Sequence, residues 1–152
     1  MKIQDFACTA IFAEDLRQEV NGQVTIVGIL PDNVEFEGQS QAMLPKLCIY
    51  VRTVLALTDD AFSPIKVRLE APSGQPVFES LSSEEFLRSE AKRSADQNAP
   101  HLTLISQASM SPFPIRENGR FSVIVEYKDQ KYLAGFLNIK LTSAIASQHS
   151  LP

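Results

Sequence analysis

Arg120-Phe121-Ser122-Val123-Ile124-Val125-Glu126-Tyr127-Lys128-Asp129-Gln130-Lys131-Tyr132-Leu133-Ala134-Gly135-Phe136-Leu137-Asn138-Ile139-Lys140-Leu141 reads as two strands joined by a turn. Phe121, Val123, Val125 and Tyr127 share one face of the first run, and Leu133, Gly135, Leu137, Ile139 and Leu141 share one face of the second. Period two marks a half-buried strand, because successive side chains point to opposite faces. A two-residue turn at Asp129-Gln130 would leave Leu133, Leu137 and Ile139 on the side of Glu126 and Lys128, since a one-residue slip reverses every side chain. The apolar pattern therefore predicts an odd-length loop or a bulge at residues 129–131, with Tyr127 opposite Leu133 and Val123 opposite Leu137. On that register Ile124, Tyr132 and Phe136 share the outward face. Three large apolar groups there need a cover.

The same period governs most of the chain. Ile65-Lys66-Val67-Arg68-Leu69-Glu70-Ala71 alternates without a fault, and residues 24–30, 47–57 and 101–110 read as further strands. A first strand carries Phe6, Cys8 and Phe12 on one face, and Val77-Phe78 follows the break at Pro72-Ser73-Gly74-Gln75-Pro76. Asn21-Gly22 is the strongest hairpin signal, because both residues tolerate the positive φ of a type I′ turn. Short alternating runs separated by such breaks predict an all-β chain: a single antiparallel β-sandwich of seven or eight strands over residues 1–141. Residues 142–152 show no period and read as a flexible tail.

One stretch has helical character. Residues 82–98 open on Ser82-Ser83-Glu84-Glu85, which fits a capping box from Ser82 to Glu85, and Glu84 can pair with Arg88 one turn on. Asn98-Ala99-Pro100 stops the run. A short helix inserted at about residues 83–97, packing through Phe86 and Leu87, would supply the cover that the closing hairpin needs. The alternative reading is a mobile loop that orders on a partner.

Composition narrows the functional classes. The 152 residues are 44% apolar and 21% charged with net charge −4, which fits one globular domain and disfavours disorder. No basic concentration suits phosphate binding, so nucleic acid is not an expected partner. No run approaches the roughly 20 apolar residues of a membrane helix, and Met1-Lys2-Ile3-Gln4-Asp5 lacks the form of a secretory signal. The expectation is a cytoplasmic protein, or a virion-associated one if phage-borne. Alternation puts Cys8 and Cys48 on differently facing sides of their strands, which predicts two unpaired thiols packed as small apolar groups.

Catalytic chemistry finds no footing. His101 and His149 stand apart from any Cys at zinc-ligand spacing, no Ser lies in G-x-S-x-G, and no glycine-rich loop opens a helix. No catalytic residue and no cofactor is expected. Asp59 and Asp60 are the only nameable metal ligands; a calcium site would need a third ligand from the Asn21 turn or another loop at that pole. The leading expectation is a non-enzymatic binding or assembly module acting on a protein partner or on itself as a homo-oligomer. Its contact surface would be Ile124, Tyr132 and Phe136 with Phe86 and Leu87. A small-molecule or calcium-binding sandwich is the alternative.

The segment from Ala13 to Leu30, containing Val20-Asn21-Gly22-Gln23, followed by Leu44-Pro45-Lys46-Leu47-Cys48-Ile49-Tyr50-Val51-Arg52, resembles a family of uncharacterised small bacterial and phage proteins. Asn118-Gly119-Arg120-Phe121 with its closing hairpin is similar to that family as well. The resemblance implies a compact β-sandwich and carries no catalytic signature.

Overall fold

The computed structural model describes residues 5–95 and 100–142. Among them run β1 (Phe6–Gln18), β2 (Val24–Ile29), β3 (Asn33–Glu37), β4 (Ala42–Leu44), β5 (Leu47–Ala56), β6 (Ile65–Glu70) and β7 (Pro76–Ser82), then α1 (Glu84–Ala95), then β8 (His101–Met110), β9 (Phe113–Ile115), β10 (Gly119–Tyr127) and β11 (Gln130–Thr142). A four-stranded sheet has the order β2-β1-β5-β8 and a five-stranded sheet the order β3-β11-β10-β6-β7, while β4 and β9 form a separate ribbon. Eight of these strands are the ones that period two reveals. The three others are short, and β3 runs parallel to β11, so the expected all-antiparallel pairing has one exception.

The core lies between the two sheets. β5 sends Leu47, Ile49, Val51 and Leu55 inward against Val67 and Leu69 of β6, Phe121, Val123 and Val125 of β10, and Leu137 and Ile139 of β11, all buried. Fully burying such a side chain contributes about 1.5–3 kcal/mol. Alternation places the charges of β6 (Lys66, Arg68, Glu70) on the opposite face. Both cysteines are free: Cys8 faces the core, and Cys48 is buried on the other face of its sheet beside Ser109, 3.2 Å from Sγ to Oγ.

The closing hairpin departs from its predicted register. Its turn is Lys128-Asp129, with φ of 50° and 59°, the pair of positive values that a two-residue type I′ turn requires. Tyr127 thus pairs with Gln130 and Val125 with Tyr132. The parity change that the apolar pattern demands occurs further along, where Ile124 pairs with Leu133 but Val123 pairs with Gly135. Ala134 is the extra residue of a bulge. Tyr132 consequently faces inward and packs on Phe6 at 4.5 Å between ring centroids, and Phe6 also stacks on Tyr127 at 4.6 Å. The first hairpin differs too: residues 20–22 form a three-residue loop in which Glu19 N–H donates to the Gln23 carbonyl, and Gly22 alone has positive φ.

The helix exists, capped one residue later than expected. Ser83 accepts the Phe86 N–H at 3.2 Å, while Ser82 is the last residue of β7. Glu84 pairs with Arg88 at 2.8 Å. Leu87 is fully buried and Ala91 nearly so, whereas Phe86 stays about half exposed. The helix packs on β8, and Arg88 lies over the Phe62 ring. It spans the end of the sandwich between β7 and β8 and does not cover the outward face of the closing hairpin. Thr142, expected in the tail, belongs to β11 and pairs with Glu37; the rest of the tail expected at 142–152 and residues 96–99 lie outside the described residues.

The bulge also fixes how closely the sheets meet. A Cβ on Gly135 would sit 2.7 Å from the Ala10 carbonyl oxygen and 3.0 Å from Ala10 Cβ. Gly135→Ala therefore forces β1 and β11 apart, and overpacking of this kind costs about 1–3 kcal/mol. Urea unfolding should show a lower midpoint at unchanged slope.

Candidate functional site

The outward face of the five-stranded sheet holds the molecule's most organised surface. Pairing puts Leu133 beside Ile124 and Ile124 beside Arg68 in one row, and Phe136 beside Ser122 in the next. Leu133 is 52% exposed, and Ile124 and Phe136 are half-buried. Leu81, at the far edge opposite Lys66, is 66% exposed. The bulge at Ala134 is what brings Leu133 and Phe136, three residues apart, onto the same face.

Charged groups ring this apolar trio. The Arg68 side chain is 16% exposed, and its Nη2 forms ion pairs with Glu70 at 2.6 Å and Glu126 at 3.0 Å. Its Nε is buried and has no hydrogen-bond partner among the described residues. Lys131 approaches Glu126 at 3.8 Å, and Lys66 pairs with Glu79. On the other flank the Arg120 guanidinium lies 4.3 Å from the Phe136 ring centroid while its Nε donates to Asn138. Asn138 in turn donates to Asn33 at 3.1 Å. An apolar centre with a paired, polar rim is the anatomy of a protein–protein contact patch.

The expected contact residues are only partly brought together. Ile124 and Phe136 lie on this face. Tyr132 does not, because the bulge falls after it and turns its ring onto Phe6. Leu87 is committed to the core, and Phe86 is exposed on α1, which packs on β8 rather than on this face. Leu133, Leu81 and Arg120 are members that the sequence reading missed. The signal for Leu133 was present in the required parity change, but its position within β11 was not.

The remaining chemistry is quiet. Asp60 accepts a hydrogen bond from the Thr58 hydroxyl at 2.8 Å and pairs with Lys128 at 3.1 Å; these partners hold its carboxyl below the ordinary value. Asp59 has no convergent ligands. The Asn21 loop lies at the far end of β1 from it, because Phe6 pairs with Leu55 at one pole while Gln18 pairs with Val24 at the other. Among the described residues no three His, Cys, Asp or Glu side chains converge as a metal site. A recess beside the closing turn is lined by Lys66, Lys128 and Lys131, but each has a carboxylate partner, so it presents no free positive charge to an anion. Burial raises the Cys8 thiol, which leaves it protonated and unreactive at neutral pH. No helix among the described residues is long and apolar enough to cross a membrane. No family model and no curated protein matches the chain.

The Asp60 contacts have a pH signature. A carboxyl whose folded pKa is depressed contributes stability that is fully present above the unfolded value of about 3.9 and is lost as pH falls through the folded value. Asp60→Asn should therefore lower the melting temperature slightly at pH 7, and the gap from wild type should close as pH drops below about 4. Thermal melts across that range measure it.

Proposed function

We propose that this protein is a non-enzymatic binding or assembly module that engages a protein partner through the outward face of its five-stranded sheet. The observation that carries the reading is the apolar trio Ile124, Leu133 and Phe136, left uncovered by the chain's own helix and framed by ion pairs. Monomeric proteins seldom leave contiguous apolar area without a use. Arg68 and Arg120 strengthen the case, because guanidinium groups stacked on or packed among apolar side chains are favoured at interface centres. The partner chemistry that fits is a shallow apolar surface with polar groups at its margin, able to meet Glu70 and Glu126 on one side and Arg120 on the other.

The resemblance of residues 13–30 and 44–52 to small bacterial and phage proteins supports a setting as a bacterial accessory protein or a phage-borne component.

Leu133→Lys and Phe136→Glu place charge in the centre of the patch without touching the core. Affinity capture from the source cell, quantified against the wild-type chain, should show the same specific partner lost by both variants while their circular dichroism and melting remain native. Truncations at the centre of such patches typically cost 2 kcal/mol or more, about thirtyfold in affinity. Retention of every captured protein by both variants would overturn the reading.

A further inference from the structure

The edges of the two sheets are not equally protected. β3 carries Glu35 and Glu37, and β7 begins at Pro76, carries Glu79 and has a register irregularity opposite β6. β2 is six residues long and contains Gly28 in the left-handed region with the Glu14 side chain folded against it. Charge, proline, bulges and shortness are the means by which proteins prevent edge-to-edge pairing. β8 has none of them. His101-Leu102-Thr103-Leu104-Ile105-Ser106-Gln107-Ala108-Ser109-Met110 contains no Lys, Arg, Asp, Glu, Pro or Gly, and its register with β5 runs unbroken for its whole length.

Among the described residues β8 is hydrogen-bonded to β5 alone, so its other edge lacks a strand partner. The helix packs at the pole where β8 begins, beside Phe62. In the second half, residues 106–108 border a narrow slot into the core, lined further by Ile49, Val51, Val67, Leu69 and Phe78. The slot exists because the inward positions of β8 shrink from Leu102 and Leu104 to Ser106 and Ala108. Ile105, on the outward face, is 42% exposed.

We propose that this edge pairs with the same edge of a second copy, antiparallel about a twofold axis, to give a continuous eight-stranded sheet. The register follows from geometry. Residues directly opposite in an antiparallel pair share a face, so self-pairing centres on a residue and not between two. Centring on Gln107 uses the uncovered half of the strand: Gln107 meets Gln107, Ser106 meets Ala108, and Ile105 meets Ser109. Every pair is uncharged, and the inward pairs are small enough for the two slots to close against each other. The edges of the five-stranded sheet do not offer this, since β3 would set Glu35 and Glu37 against carboxylates of its copy and β7 would do the same near Glu79; β2 is uncharged but short and interrupted by the positive φ of Gly28. The surface is separate from the face assigned to a protein partner above.

Sedimentation equilibrium tests the inference on the full chain. The wild type should sediment at twice the 16.8 kDa chain mass at high micromolar concentration. Gln107→Lys sets two ammonium groups opposite each other on an outward position, and should raise the dimer dissociation constant about tenfold or more. Added salt should recover part of that loss, while melting of the isolated chain stays native. Gln107→Asn should keep the dimer, and so should Leu133→Lys, which separates this interface from the other face. A wild-type chain that stays monomeric, or a Gln107→Lys chain that dimerises as tightly as wild type, would overturn the proposal.

Discussion

The extra residue at Ala134 is the constraint on which the rest of the molecule depends. At one pole β11 must deliver Tyr132 to the core, where the ring packs on Phe6 and completes an aromatic stack with Tyr127. At the other pole it must deliver Leu137 and Ile139, both nearly fully buried. These positions differ in parity, and an unbroken strand cannot serve both. The bulge reconciles them, and it does so beside the one residue, Gly135, whose missing side chain lets β11 approach the Ala10 backbone of β1. The corner where the two sheets meet and the change of face are thus one feature.

The outward surface follows from the same residue. Leu133 precedes the bulge and Phe136 follows it, so both point away from the core despite their odd spacing. Without the bulge one of the two would be interior. The apolar trio is therefore tied to the way the core is filled, and the ion pairs of Arg68 with Glu70 and Glu126 set its boundary on the β6 side. The partly buried Arg68 is a costly element to keep on a sheet's open face, since a buried donor without a partner costs about 1–3 kcal/mol.

Much of the fold was legible in the sequence, and the limits have physical causes. Strict alternation in Ile65–Glu70, and nearly regular alternation from Arg120 to Tyr127, announced strands with one buried face, and the burial of Val67, Leu69, Val123 and Val125 agrees. That a parity change must exist in the closing hairpin was also readable. Its place was not, because a bulge is decided by the approach of Ala10 on a strand more than a hundred residues away. Turn chemistry misled twice for a related reason. Asn21-Gly22 has the residues of a type I′ turn but sits in a three-residue loop that needs only Gly22 at positive φ. Lys128-Asp129 adopts the I′ conformation although a Lys there is strained, held by the Asp60 pair and by the packing of Lys128 over Tyr127. Contacts beyond the turn pair decided both places: Asn21 bonds to Gln23 across its loop, and Lys128 is held by Asp60.

The helix shows the same hierarchy at the level of the candidate site. Its sequence indicated a serine cap, an i,i+4 ion pair and a narrow apolar stripe; the ion pair is present, the cap falls on Ser83 instead of Ser82, and Leu87 and Ala91 of the stripe are buried while Phe86 is half exposed. What the stripe packs against depends on where β7 and β8 end, and those strands belong to different sheets. Leu87 therefore closes the gap at one end of the sandwich, where the core would otherwise open to water, instead of shielding Ile124 and Phe136. The one helix among the described residues is used at the pole, and the described elements leave two areas open, the ringed apolar face of one sheet and the β8 edge of the other. The first is bounded by charge; the second carries no Asp, Glu, Lys or Arg and follows β5 without a break in register.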